Sequence, residues 1–137
     1  MLPTNQLNAI LRLLAVLWTL GIALALAWPH PDLPSPPSTL PLDKFVHVAL
    51  FAGFGLLWMG ALRPALRRRS AWVAGAGLLF AVATEAGQHV LPFGRAASGL
   101  DALADAAGLA LGVGAFSLAS RWRRSASPSP GQQPSRD

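Results

Sequence analysis

Residues 81–108 read AVATEAGQHVLPFGRAASGLDALADAAG, and this stretch decides how the rest of the chain is understood. It starts inside a long apolar run, where Glu85 stands in place of hydrocarbon. Gln88 and His89 follow one helical turn on, the break LPFG leads to Arg95, and a second apolar run opens with Asp101 and Asp105. Residues four apart share a helix face, so the two aspartates line up on one side. Ionisable groups inside such runs are expensive, which makes them functional candidates by default.

The composition supports a membrane reading. The 137-residue chain is 53% hydrophobic and only 12% charged, against about 25% charged in a typical soluble domain. A single soluble core of this size could not hide so much apolar surface. The net charge of +5 comes almost entirely from arginine. Those arginines lie at the ends of apolar runs, where the positive-inside rule places them, and not on one aromatic-interleaved face as nucleic-acid binding requires. No cysteine is present, which excludes a disulfide framework, thiol catalysis and a cysteine-based metal site.

Residues 1–8 form a polar lead, and an apolar domain of residues 9–120 follows in four predicted transmembrane helices at about 9–28, 45–62, 71–91 and 100–120. Each is close to the ~20 residues that cross a ~30 Å hydrocarbon core. Arg12 lies near the start of the first and can snorkel to the interface. Ala25-Leu26-Ala27 before Trp28 resembles a signal-peptidase site, but the run is long for a signal peptide and a retained helix is expected. The proline-rich segment 29–43 cannot be helical. Arg63, Arg67, Arg68 and Arg69 fall in the loop between the second and third helices; Arg121, Arg123 and Arg124 open a basic tail, 121–137, of disordered composition. The expected fold is therefore all-α: an integral membrane bundle of four transmembrane helices with both termini cytoplasmic, in the inner membrane. Trp18, Trp28, Trp58, Trp72 and Trp122 are read as an interfacial aromatic belt.

This topology collects distant polar residues into one layer. Asp43, Lys44 and His47 head the second helix; Glu85, Gln88 and His89 end the third; Arg95 lies in the loop; Asp101 and Asp105 open the fourth. All fall at the outer side. Arg95 is expected to pair with Asp101 or Glu85, and Lys44 or His47 with Asp105, because a carboxylate near lipid needs a cation or a donor. Gly108 and Gly112 continue the face of Asp105 and allow close helix approach. Simpler accounts stand beside these: Asp43 as an N-cap, Asp101 as a helix-dipole partner, Lys44 as an interfacial anchor, His89 as an interface residue.

The order Asp-Lys-x-x-His at 43–47, Glu-x-x-Gln at 85–88, Arg95, then Asp-x-x-x-Asp-x-x-Gly at 101–108 resembles the VanZ-like family of small bacterial membrane proteins. The resemblance spans about residues 10–120. Two positions depart from it: Asp105 stands where the family commonly shows Asn, and Phe51 where a Tyr is often seen. The resemblance implies a cell-envelope protein; the family takes its name from a protein associated with resistance to the glycopeptide teicoplanin, an antibiotic acting outside the membrane.

The expected function is an outward-facing polar site that binds or processes a lipid-linked envelope precursor or a phospholipid headgroup. Lys44 and Arg95 would hold an anionic group, and Glu85 and His47 are the candidates for proton transfer. The alternatives are a proton- or ion-coupled small transporter and a non-catalytic structural or accessory subunit. No cofactor, metal or nucleic-acid partner is expected beyond the lipid bilayer; the sequence names no protein partner.

Overall fold

The structure is a computed structural model, described for residues 3–27, 42–63, 65–90 and 99–125, with the side chains of residues 27 and 88–90 left aside. Four helices make it up: α1 Thr4–Ala27, α2 Leu42–Ala61, α3 Leu66–Val90 and α4 Gly99–Ser125. All four are long and apolar enough to cross a membrane. The shortest, α2, has 20 residues and so reaches about 30 Å at 1.5 Å per residue. Leu13, Leu20, Leu79, Leu103 and Leu111 all point outward and exposed. In water that pattern would aggregate; against acyl chains it is the expected exterior.

The helix limits differ from the sequence reading mainly at the charged ends. α1 begins at Thr4, inside the expected polar lead, because the Pro3 carbonyl accepts the amides of Gln6 and Leu7. Arg67, Arg68 and Arg69, expected in a loop, lie in the first turn of α3, and Arg121 to Arg124 lie within α4. Cations at a helix start oppose the macrodipole, which is why the sequence favours a loop there. Arg69 offsets this by donating to Leu62 O at the end of α2, at 2.8 Å. Arg12 of α1 donates to Ala61 O at 3.4 Å. The last carbonyls of α2, which no intrahelical amide reaches, are thus satisfied by arginines from two other helices. The Arg69 guanidinium also sits 4.9 Å over the Phe116 ring of α4.

The main seam is between α2 and α4, which pack against each other more extensively than any other pair. Their pairings advance together, Lys44 with Asp101, His47 with Asp105, Val48 with Gly108 and Ala52 with Gly112, so the two helices are parallel. A Cβ on Gly108 would strike the Val48 carbonyl, and one on Gly112 the Ala52 carbonyl. On the other side Gly55 faces Leu109 O, which a Cβ would meet at 3.1 Å. Gly108 and Gly112 form a G-x-x-x-G pair, the device by which membrane helices bring backbones together. Below the seam Phe51, Phe54 and Phe80 pack with ring centroids 5.7–6.2 Å apart.

Two tryptophans depart from the expected belt. Trp18 lies flat on Gly53, where a Cβ would meet its ring at 2.7 Å, and its indole donates to Leu50 O at 2.9 Å. Trp58 donates to the Thr19 hydroxyl at 3.0 Å. Both join α1 to α2. Trp28 lies outside the described residues.

Candidate functional site: a polar cluster at one end of the α2–α4 seam

The close glycine seam carries the first turns of α2 and α4 side by side. Asp43 and His47 are one turn apart on α2, as are Asp101 and Asp105 on α4. The Lys44 ammonium pairs with the Asp101 carboxylate and lies 3.6 Å from Asp43 Oδ2. One turn deeper, His47 Nδ1 is 2.8 Å from Asp105 Oδ1, and both side chains are only 1% exposed. An ionised carboxylate only accepts, so the proton of this bond is on Nδ1 and the imidazole donates.

Two atoms of the pair are left idle: among the described residues neither Asp105 Oδ2, an acceptor, nor His47 Nε2, an acceptor in the neutral ring and a donor in the imidazolium, has a hydrogen-bond partner, and both are buried. A buried acceptor without a donor costs free energy comparable to its lost hydration, about 1–3 kcal/mol each. An imidazole oriented by a carboxylate with its second nitrogen free is also the geometry of a general base. Among the described residues no hydroxyl lies within hydrogen-bond distance of that nitrogen to complete a nucleophilic triad.

The donor atoms of Asp43, His47 and Asp101 lie within 4.8 Å of one another, close enough to hold a cation. The Lys44 ammonium already bridges both carboxylates. A tethered cation therefore takes the place that a divalent ion would need, and the donor set fits a lysine better than a metal.

Of the other expected residues, Glu85 is half-buried on α3. The Lys44–Asp101 and His47–Asp105 pairs are made without it. Gln88 and His89 lie in the last turn of α3, and their side chains fall outside the described residues, as does Arg95 with its expected pairing to Asp101 or Glu85. Lys44 is the cation found on Asp101. Sequence reading offered Lys44 to Asp105, as an alternative to His47, or as an interfacial anchor, and not to Asp101; the register that places α2 beside α4 decides it.

The description VanZ/LLP1 belongs to a family model that matches residues 4–120. The chain belongs to the VanZ/LLP1 family. The match takes in all four helices up to the last turn of α4, and the polar cluster and glycine seam lie within it. No curated protein and no solved structure matches the chain. This VanZ/LLP1 protein is a multi-pass membrane protein associated with the cell envelope.

Proposed function

We propose that this VanZ/LLP1 protein receives the polar headgroup of a lipid or lipid-linked envelope molecule in the cluster of Asp43, Lys44, His47, Asp101 and Asp105. The observation carrying the reading is the idle pair of polar atoms, Asp105 Oδ2 and His47 Nε2, on a bonded and fully buried dyad among the described residues. Asp105 Oδ2 lacks a donor, and His47 Nε2 lacks one too while the ring is neutral. The cluster also holds three carboxylates against one lysine and one imidazole, so its described charge is acidic. Both facts favour a headgroup that brings N–H or O–H groups, an amine above all, over a bare anion. Arg95, between α3 and α4 in sequence, is the residue available for the phosphate of such a headgroup. Glu85 and His47 remain the candidates for moving a proton if the bound molecule reacts.

Short-chain phosphatidylethanolamine and its N-trimethyl counterpart, titrated into the purified protein in nanodiscs, test the reading. The primary amine donates three hydrogen bonds and the trimethyl form none, so about tenfold tighter binding of the amine is expected, one good charged hydrogen bond being worth that much. Asp101→Asn and Asp105→Asn should each shrink the difference with helicity retained. Equal binding of both headgroups by the native chain would sink it.

A second reading has its own observation. Lys44–Asp101 and His47–Asp105 are internally matched pairs that tie α2 to α4, which is what a structural or accessory subunit would need. In that case the same variants lose abundance and melting temperature together, and headgroup selectivity is absent throughout. Ion-coupled transport is the weaker alternative, since the acidic residues of α2, α3 and α4 all lie toward one end of those helices.

A further inference from the structure

At the end of the bundle away from the polar cluster, α1 and α3 touch only sparsely, and a cavity of about 480 Å³ opens between them and α2. Its walls include Phe54, Trp58, Leu62, Trp72, Ala76 and Phe80. The volume falls in the range of genuine ligand sites, about 300–1,000 Å³. Two of the few polar groups in the wall, those of Trp58 and Thr19, satisfy each other. The Trp58 indole donates to the Thr19 hydroxyl, and that hydroxyl donates to Ala15 O at 2.8 Å. The wall is almost wholly apolar, which suits a hydrocarbon occupant.

The mouth of the cavity has a different character. Arg68, Trp72, Ala76 and Phe80 follow one another at four-residue steps along α3. Arg68 therefore stands about 6 Å beyond Trp72 toward the helix start. Trp72 also walls a second hollow, shared with Arg68, Ala71 and Gly75, and so stands between the apolar cavity and the arginine. Arg69 and Arg63 are engaged, with Leu62 O and Asn5 Oδ1 respectively. Arg67 and Arg68 are exposed, and neither forms an ion pair among the described residues. No acidic residue lies in the α2–α3 turn or the first turns of α3.

We infer that this groove is a binding site for one anionic phospholipid, with an acyl chain between α1, α2 and α3 and the phosphate at Arg67 and Arg68. Charge complementarity selects the class: past Trp72 the apolar cavity gives way to a hollow lined by Arg68, with Arg67 the preceding residue of α3, and guanidiniums are suited to bidentate phosphate contact. Trp72 sits at the junction, where an amphipathic ring is at home at headgroup depth. The site is separate from the polar cluster and does not depend on what that cluster binds.

Native mass spectrometry of the purified full chain, released from detergent containing phosphatidylglycerol or phosphatidylcholine, tests this. One phosphatidylglycerol per chain should be retained, with a preference over phosphatidylcholine of about 10- to 30-fold from two arginines near the surface. The exposed double variant Arg67→Gln/Arg68→Gln should bring that preference to about threefold or less. Tryptophan quenching by acyl-brominated phosphatidylglycerol locates the chain. It should exceed quenching by brominated phosphatidylcholine, and Trp58→Phe/Trp72→Phe should abolish the excess. Equal retention of both lipids, quenching unchanged in the tryptophan variant, or a lipid-free dimer in place of the lipid-bound chain would each overturn the inference.

Discussion

At the scale of single residues, His47 and Asp105 give the sharpest expectation. Removing one partner of a buried pair strands the other, at about 3–5 kcal/mol, whereas replacing both by apolar side chains of similar size is close to neutral. His47→Leu and Asp105→Leu should therefore each lower stability strongly, and the double variant should recover most of the loss. Unfolding in detergent, read as a double-mutant cycle, should give a coupling of at least about 1 kcal/mol; additive effects would show that the two side chains do not act as a pair. Much of this was legible in the sequence, because a carboxylate in an apolar run with a second one a turn earlier marks a site by cost alone. The choice of partner was not. Lys44 and His47 are three residues apart and either could have met Asp105; only the register of α2 on α4 assigns Lys44 to Asp101.

At the scale of helices, the seam between α2 and α4 rests on glycine. Gly108→Ala and Gly112→Ala each place a methyl against a backbone carbonyl, which cannot turn aside as a side chain can. Overpacking of this kind costs about 1–3 kcal/mol. Gly114→Ala serves as the control, since nothing lies within 4 Å of its Cβ position, and helix propensity there favours alanine by about 1 kcal/mol. Thermal melts should place the first two well below the native protein and the third at or above it. Equal behaviour of all three would mean the helices do not approach at Gly108 and Gly112. The four helices could be read from hydropathy and the glycine face from its four-residue spacing. The roles of Trp18 and Trp58 could not, because a tryptophan near a helix end looks the same to a hydropathy scan whether it faces headgroups or a neighbouring helix. Gly53 is the hidden determinant for Trp18: without a side chain there, the indole reaches the Leu50 carbonyl.

At the scale of the whole molecule, the described residues are polarised, with carboxylates gathered toward one end of the bundle and arginines toward the other. From the positive-inside rule the polar cluster is expected to face outward. The cysteine-free chain allows a direct check with single cysteines at Leu42, beside the cluster, and Ala65, in the turn between α2 and α3. A membrane-impermeant maleimide applied to intact cells should label the first and not the second; the opposite pattern would turn the cluster toward the cytoplasm. The parallel arrangement of α2 and α4 also bears on how the protein is made. Lys44 and His47 enter the membrane with α2, yet their partners lie 57 and 58 residues later in the chain. Until α4 arrives, the nascent protein holds a lysine with only its neighbour Asp43 for a partner and an imidazole without its carboxylate at the edge of the lipid. A half-synthesised or truncated chain is thereby marked chemically as unfinished, and the arrival of two aspartates removes the mark.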